Sequence, residues 1–262
     1  MGTTDMLIDT HAHLTDACYG GADDLIAAMK TDGLDKIITV GYDLASSRAG
    51  LAIAAAHRDV YCAVGVHPSN AQALEADIFD ALLSLTQAEK AVAVGEIGLD
   101  YHYDDTDRDK QLRWLNRQLD VVAACGLPVC FHVRDAYEDT QRALDARGAD
   151  IRGGAVMHCF SGSKETALHY ADRGYYISFA GAVTFKNANK FPEIIRALPL
   201  DRILVETDAP YLSPHPFRGE TNYPKRVALT AQKIAEILGK DFEEIAALTR
   251  QNAYRAFPKM RP

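Results

Sequence analysis

Side chains that can bind metal ions recur in this sequence directly after short apolar runs, and this feature restricts the fold more than any other. They occur in five stretches: residues 8–13 (IDTHAH), 95–100 (GEIGLD), 131–132 (FH), 157–160 (MHCF) and 206–210 (ETDAP). Neutral imidazoles and carboxylates are the usual ligands of divalent hydrolytic metal sites. Ligands from five strand ends can converge only if the strands are parallel and share one open end. The pattern therefore predicts both a fold, in which parallel strands share one open end, and a reaction class, metal-dependent hydrolysis.

The apolar runs alternate with segments of helical periodicity. Strands are predicted at residues 6–10, 36–40, 60–66, 91–96, 127–132, 155–159, 175–179 and 202–206. Helices are predicted at residues 23–31, 43–57, 73–86, 107–124, 136–147, 163–173, 190–198, 225–238 and 242–256. Strand–helix alternation indicates a parallel sheet with helical crossovers. Eight units in 262 residues, with no low-complexity linker, predict an α/β fold: a single-domain (β/α)₈ TIM barrel over residues 1–262.

Composition narrows the class of protein further. With 28 Lys and Arg against 36 Asp and Glu, the net charge of −8 is unlike that of a broad nonspecific nucleic-acid coat. The five cysteines have no paired spacing, which predicts reduced and mostly buried thiols. No apolar run is long enough for a membrane span, and the N-terminus lacks a basic leader. We therefore expect a cytoplasmic protein without membrane contact, whose oligomeric state stays open and is compatible with a monomer.

The active site of a (β/α)₈ barrel lies at the C-terminal ends of its strands, where all the candidate ligands fall. Side chains two residues apart on a strand point to the same side, so both histidines of the first stretch can face the barrel mouth. The six predicted metal ligands are His11, His13, Glu96, His132, His158 and Asp208. They form two sets that share Glu96, whose two oxygens can bridge two cations. Two such ions suit in-line displacement at phosphorus.

Seven stretches of the sequence resemble the TatD family of metal-dependent deoxyribonucleases, within the amidohydrolase-like barrels. These are residues 9–14 (DTHAHL), 65–68 (GVHP), 95–101 (GEIGLDY), 131–136 (FHVRDA), 157–162 (MHCFSG), 205–212 (VETDAPYL), and Arg218-Gly219 with Asn222 and Pro224. They extend from the first predicted strand to beyond the last, so the resemblance covers essentially the whole chain.

The resemblance implies roles for the six ligands. His11, His13 and Asp208 would hold one metal, the two histidines of strands five and six the other, and Glu96 would bridge them. Many relatives in the wider superfamily use a carboxylated lysine as the bridge, so a glutamate here favours the nuclease branch. Two divalent ions are expected, and the ligand types admit Mg, Mn, Zn or Co. Glu206 is two residues before Asp208 and is expected to face the same way. It either supports a ligand or touches a further metal, or it forms a salt bridge inside the barrel.

The expected mechanism uses a water that bound metal makes acidic, so that hydroxide is available near neutral pH. This hydroxide would attack a phosphodiester, with Asp208 accepting the proton; Asp208 and Glu96 are thus the expected catalytic residues. His67 is assigned to phosphate contact, with a structural cap of the turn at Pro68 as the alternative. Arg218 is a second candidate phosphate contact, and Glu206 also borders the expected substrate site. Weaker candidates are Ser161, Ser163 and Lys186 for phosphate, and Tyr101, Tyr103 and Phe185 for base stacking.

A narrow metal-lined barrel mouth with few basic residues suggests that the end of a nucleic-acid strand is threaded into the site. This favours an exonuclease on single-stranded DNA, a direction that the resemblance supports. Alternatives with the same metals are a D-aminoacyl-tRNA deacylase and a small-molecule amidohydrolase. A catalytically silent barrel that serves as a binding scaffold predicts eroded ligands, whereas all six are intact. A metal-binding protein without a substrate is the remaining alternative. Exonuclease polarity and the preference for DNA over RNA stay open.

Overall fold

A computed structural model of the chain describes residues 6–71, 74, 76–103 and 105–260. Eight parallel strands follow one another around a barrel in chain order. They are β1 (Leu7–Ala12), β2 (Leu34–Val40), β3 (Val60–Val64), β4 (Ala91–Asp100), β5 (Val129–Arg134), β6 (Ala155–Met157), β7 (Tyr176–Phe179) and β8 (Ile203–Val205). The predicted (β/α)₈ barrel is therefore confirmed.

Helices occupy the crossovers between the strands and the segment after β8. They are α1 (Asp23–Ala28), α2 (Leu44–Ala56), α3 (Pro68–Ala71), α4 (Phe79–Thr86), α5 (Arg108–Cys125), α6 (Tyr137–Arg147), α7 (Lys164–Asp172), α8 (Phe191–Ala197), α9 (Val227–Leu238) and α10 (Phe242–Ala256). In the described ranges, none of these helices is both long enough and apolar enough to cross a membrane. All five cysteines are free thiols, and two of them, Cys62 and Cys130, are buried.

The longest crossover helix shows how local sequence sets an element's limits. Asp107 caps the start of α5 by accepting a hydrogen bond from the Lys110 N–H at 2.9 Å. Gly126 ends α5 in the left-handed conformation, with φ of 70°, which glycine adopts without a steric penalty. Between them, Leu115 and Leu119 lie one turn apart and are both buried against the barrel.

Most predicted elements differ from the structure by one to three residues at an end, and two differ by more. The predicted helix at 73–86 is replaced by α3, which starts at Pro68, and by α4, which starts at Phe79; Ala73 lies outside the described residues. Proline suits the first helical position, because its missing N–H would have no partner there. The Asp77 side chain accepts from the Phe79 N–H at 2.9 Å and so helps to fix the start of α4. The second difference is β4, which continues beyond the predicted end at residue 96 to Asp100.

The interior of the barrel is closed at its N-terminal end and open at its C-terminal end. The side chains inside form a cluster separate from the layer between strands and helices. This interior cluster contains Ile8, Ile38, Val40, Tyr61, Ala63, Val92, Ala93, Cys130, Val156, Tyr176 and Leu204, with Ala253, Ala256, Phe257 and Met260 from α10 and beyond. The C-terminal segment therefore plugs the bottom of the barrel, and the candidate ligands lie at the opposite end, where a cavity opens.

The seam between β8 and β1 is closed near the ligands. An isolated parallel bridge joins Ala12 to Ala209, and the Asp208 N–H donates to the His11 carbonyl at 2.8 Å. Lower in the seam, the buried Asp9 carboxyl accepts from the N–H and hydroxyl of Thr207 at 2.9 and 2.5 Å. Burial raises the pKa of Asp9 to about 8, although these hydrogen bonds act in the opposite direction. The seam thus brings the ends of β1 and β8 together.

A polar cluster at the bottom of the barrel ties β2 to α10. The Asp35 carboxylate accepts from the Arg250 guanidinium at 2.8 Å and from the Tyr254 hydroxyl at 2.7 Å, and Lys30 and Lys36 lie at 3.2 and 3.4 Å. Burial alone would raise the pKa of Asp35, but these hydrogen bonds and the lysine charges outweigh it. The net result is a pKa well below the usual range.

We expect Asp35→Asn to lower the free energy of unfolding by about 2 kcal/mol at pH 7, because it leaves the basic groups around it unpaired. The folded-state pKa lies below the unfolded value of about 3.9, so the stabilisation is complete above about pH 5 and is lost as the pH falls. Urea unfolding at pH 7 and pH 3 measures this, and the difference from wild type should be smaller at pH 3. Asp201→Asn, in an exposed pair with Arg202, is the control, and an equal deficit at both pH values would contradict the role of charge.

Candidate metal centre

A cavity of about 780 Å³ opens at the C-terminal ends of the strands. Five of the six predicted ligands line it, and the sixth, His11, lies fully buried beneath. Glu96 is at the centre of the group and is itself only 4% exposed. The structure therefore brings all six predicted ligands together. Two groupings follow the two oxygens of Glu96, and a further group of His11, His158 and Asp208 connects them.

The first set surrounds one oxygen of Glu96. Glu96 Oε2 lies 3.5 Å from His11 Nε2 and 3.8 Å from His13 Nε2. Asp208 Oδ1 lies 3.7 Å and 3.4 Å from the same two nitrogens. Asp208 reaches this position with a φ of 57°, in the left-handed region that residues other than glycine seldom adopt. Four ligand atoms thus face a common space between β1, β4 and the end of β8.

The second set surrounds the other oxygen of the same carboxylate. Glu96 Oε1 lies 2.8 Å from both His132 Nδ1 and His158 Nε2, which are 3.3 Å from each other. This set has three protein ligand atoms, one fewer than the first. Three protein ligands leave a coordination position open for water or substrate, as in catalytic metal sites.

The first set fits a divalent cation by distance. Two ligand atoms that share a tetrahedral ion at about 2.1 Å are about 3.4 Å apart, and the four distances of the first set lie close to this value. Both ring nitrogens of His11 are buried and have no hydrogen-bond partner among the described residues. A buried polar atom without a partner is costly, and a metal ion would satisfy Nε2.

Charge supports the same assignment. The ion pairs formed by Glu96, Asp100, Glu206 and Asp208 within the described ranges are all with histidines, and none is with Lys or Arg. Burial alone would raise the pKa of Glu96, but the charge of His158 outweighs it and the net pKa lies well below the usual value. Because no Lys or Arg pairs with these buried carboxylates in the described ranges, the group calls for cations.

Hydrogen bonds at the far side of three ligand histidines fix the direction of their lone pairs. His13 Nδ1 contacts the Val40 carbonyl at 3.0 Å, and His158 Nδ1 contacts Glu206 Oε1 at 3.1 Å. His132 Nε2 contacts Asp100 Oδ2 at 3.1 Å. In each case an acceptor holds the ring proton away from the centre, so the other nitrogen presents its lone pair to the metal position.

Glu206 lies below the metal position as a partner of His158. Its Oε1 also accepts from the Cys159 N–H at 2.7 Å, and its Oε2 accepts from the Ser178 hydroxyl at 2.6 Å. Both oxygens are therefore engaged by protein donors. In the part of the chain that the structure describes, Glu206 belongs to none of the groups of three side chains placed to hold an ion.

His67 borders the second set but directs its ring N–H, and not a lone pair, towards the centre. The Ser69 N–H donates to His67 Nδ1 at 3.1 Å, so a neutral ring carries its proton on Nε2, which lies 3.9 Å from Glu96 Oε1. Burial lowers the pKa of His67 to about 4, which keeps the ring neutral near pH 7. Although its ring atoms lie near Asp100 and His132, Nε2 is a hydrogen-bond donor and not a free lone pair.

Two glycines of β4 allow β5 to approach the centre. A Cβ on Gly98, where φ is 152°, would lie 1.9 Å from the His132 carbonyl oxygen. A Cβ on Gly95 would lie 2.5 Å from the Cys130 Cβ. These glycines make room for the neighbouring strand, and this close approach places His132 beside Glu96.

Of the other residues predicted to contact phosphate or bases, some line the cavity and others do not. Tyr103 and Ser161 line it. Arg218 stacks its guanidinium 4.6 Å from the Phe185 ring, and Arg218, Phe185, Ser163, Lys186 and Tyr101 are not among the lining residues. Several residues at the site were not assigned from the sequence: Tyr42, Asp100, Arg134, Ser178 and Tyr211. Three of them, Asp100, Arg134 and Tyr211, lie within the motif stretches, next to the ligands.

Paired buried ligand sets at the open end of a (β/α)₈ barrel define a metal-dependent hydrolase. The sequence model of the family described as TatD related DNase matches residues 8–258. The chain belongs to this family, as the motifs indicate.

The relatives of this chain agree with that class. The uncharacterized metal-dependent hydrolase YabD of Bacillus subtilis (strain 168) is 40% identical over 253 residues, which cover 96% of this chain and 99% of that protein. The uncharacterized metal-dependent hydrolase TatD of Mycobacterium tuberculosis is 35% identical over 262 residues, covering 96% and 97%. The solved structure of YJJV, a TatD homologue from Escherichia coli K12, matches with a TM-score of 0.89 at 30% identity and covers 98% of this chain and 99% of that one.

We expect Asp100→Asn to weaken metal binding at the His132 position by about 10–100-fold, because the carboxylate that orients this ring is lost. Equilibrium dialysis against buffered free Zn²⁺, with metal analysis of the protein, measures the change. Asp139→Asn is the matched control, since that carboxylate accepts from Tyr101 at 2.8 Å and pairs with Arg142 at 3.2 Å, and does not line the cavity. Equal metal affinity in wild type and Asp100→Asn would rule out the orienting role.

Proposed function

We propose that this hydrolase is a deoxyribonuclease that removes nucleotides from an end of single-stranded DNA with two divalent ions, Mg, Mn, Zn or Co. The observation that carries the proposal is the position of Glu96, whose two oxygens face two separate ligand sets. Two adjacent cations suit displacement at phosphorus, where charge develops on both the attacking and the leaving oxygen. The family to which the chain belongs, TatD related DNase, supports DNA as the substrate.

The residues that would hold the ions are His11, His13 and Asp208 for one, and His132 and His158 for the other, with Glu96 shared. When bound, the ions would supply Lewis-acid stabilisation of the phosphoryl oxygens and lower the pKa of water in the site. Proton transfer and hydrogen bonding to the phosphate are assigned to side chains around the cavity.

Asp208 is the proposed proton acceptor. Its carboxylate borders the cavity, and Asp208 Oδ1 lies 3.4 Å from His13 Nε2. Burial would raise the pKa of Asp208, but the hydrogen bond from His13 and the charge of His158 outweigh it, and the net pKa is lowered. The carboxylate is therefore ionised near neutral pH and can take the proton of the attacking water as the bond to phosphorus forms.

His67 is the proposed donor to the phosphate. Its Nε2–H is held in one tautomer by the Ser69 N–H and lies beside the second ligand set, at the wall of the cavity. A hydrogen bond from this group to a nonbridging phosphoryl oxygen would strengthen as charge develops there. A neutral donor serves this purpose over a wide pH range.

The cavity supports an end-on mode of binding. Its volume of about 780 Å³ is in the range of sites that enclose small molecules or single nucleotides. Among the described residues that line it, Arg134 is the only Lys or Arg. One cationic side chain is too few for the phosphate grip that a duplex-binding groove requires.

We expect Asp208→Asn to lower the turnover of end-labelled single-stranded DNA by about 10²–10⁴-fold, the contribution typical of a general base. The assay uses chelator-stripped protein with added Mg²⁺, Mn²⁺ or Zn²⁺, and metal analysis shows whether the variant still binds ions. Asp201→Asn, remote from the cavity, is the control. Near wild-type turnover by a metal-loaded Asp208→Asn variant would remove this role.

The same assay distinguishes the alternative substrates. Stepwise shortening of the labelled strand supports the exonuclease and gives its polarity. Absence of cleavage by metal-loaded wild type, together with deacylation of a D-aminoacyl-tRNA or hydrolysis of a small amide, would replace the deoxyribonuclease by one of those activities.

We expect His67→Ala to lower kcat on DNA by about 10²–10³-fold while the bound metal content stays unchanged, because a donor and not a ligand is lost. His67→Gln, which retains an N–H donor, should recover part of the activity. Metal analysis and steady-state kinetics of both variants test this. Loss of bound metal from His67→Ala would instead identify His67 as a ligand.

A further inference from the structure

Three large apolar side chains stand exposed in the described part of the chain, and all three line the metal cavity. They are Tyr103, Tyr211 and Leu212, which are 57%, 53% and 37% exposed. Single exposed apolar residues scattered over a surface need no explanation. Their restriction to the rim of one cavity points to contact with a ligand that enters there.

The two tyrosines stand on opposite sides of the metal centre. Tyr103 follows β4, and Tyr211 follows β8. Because the strands are arranged in chain order around the barrel, the β4–β5 side is diametrically opposite the β8–β1 seam. The ligand sets therefore lie between the two rings, with His132 towards Tyr103 and His13 towards Tyr211.

Tyr211 is held as a fixed ring beside the first ligand set. Its hydroxyl donates to Asp16 Oδ2 at 3.2 Å, and its N–H donates to the Asp208 carbonyl at 2.8 Å. The ring centroid lies 5.8 Å from that of His13. The polar end of the side chain is thus satisfied, and the apolar body stays exposed at the cavity.

Tyr103 is paired with Arg134, which also lines the cavity. The Arg134 guanidinium lies 5.8 Å from the Tyr103 ring centroid, and Arg134 forms no ion pair with a described carboxylate. An exposed ring beside a planar cation is the arrangement on which an unpaired base stacks, while the cation attracts the adjacent phosphate.

We propose that Tyr103, with Arg134, and Tyr211 are stacking platforms for the two nucleobases on either side of the scissile phosphate. The inference rests on the proposed function and deepens it. Its consequence is that the enzyme requires two unpaired bases at the cleaved end, because bases in a duplex are stacked on each other and cannot reach the two rings. The selection of single strands is therefore a property of the rim and not of the metal centre.

The test pairs tyrosine variants with matched DNA substrates. Tyr103→Ala and Tyr211→Ala remove each ring, and Tyr103→Phe and Tyr211→Phe keep it. Single-stranded oligonucleotides carry normal bases or an abasic residue at the terminal or penultimate position. Kinetics are measured with metal-loaded enzyme, and binding is measured by fluorescence anisotropy on the Asp208→Asn background, so that the DNA stays intact. Both tyrosines are exposed, so the Ala variants are expected to fold.

We expect each Tyr→Ala change to raise KM for normal single strands about tenfold, with kcat nearly unchanged, and the Tyr→Phe variants to resemble wild type. Each Ala variant should show no further loss when the base that its ring would stack on is already absent. The inference would be overturned if the Ala variants had the wild-type KM on normal DNA, or if their loss of affinity were equal for normal and abasic strands.

The two proposals fail in different ways. If wild type shortens DNA but the effect of the Ala substitutions does not depend on the bases, the stacking proposal is wrong and the deoxyribonuclease proposal is supported. If wild type leaves DNA intact but binds it in a base-dependent manner that the Ala variants lose, the platforms stand and the deoxyribonuclease is wrong. If DNA is neither cleaved nor bound through its bases, both proposals are wrong.

Discussion

The arrangement of this site depends on one buried carboxylate. Glu96 directs one oxygen to His11 and His13 and the other to His132 and His158, so a single side chain sets the separation of the two ligand sets. An ionised carboxylate with 4% exposure is stable only where opposite charge or many donors surround it. The histidines provide part of this environment, and divalent ions would provide the rest. The barrel mouth therefore carries negative charge that bound cations would balance.

The rest of the fold places groups around that carboxylate with little freedom. On one side, the β8–β1 seam holds Asp208 beside the two histidines of β1 through backbone hydrogen bonds. On the other, glycines of β4 let β5 come close enough to bring His132 to the same oxygen as His158. Carboxylates and a carbonyl behind the rings fix their tautomers. Such outer partners tune a metal site almost as strongly as the ligands do.

Much of the site could be predicted from the sequence, because a parallel barrel collects whatever follows its strands at one end. The six candidate ligands were predicted from their residue types at this position, and the family motifs include them. The outer partners could not be identified this way. Asp100 is the partner of His132 only because β4 runs on for four residues beyond Glu96, in register with β5. His67 presents a donor and not a lone pair only because the Ser69 N–H, in the turn after β3, occupies its other nitrogen.

The sequence by itself determined the alternation of strands and helices, the closed barrel and the choice of candidate metal ligands, since these follow from hydrophobic periodicity and from residue type. Only the tertiary structure decided where each side chain lies relative to the site. It assigned each Glu96 oxygen to one ligand set, left Arg218 on Phe185 outside the cavity, and put Tyr103 and Tyr211 on opposite rims. The physical reason is that strand register and loop geometry set distances between residues remote in sequence, and periodicity carries no information about those distances.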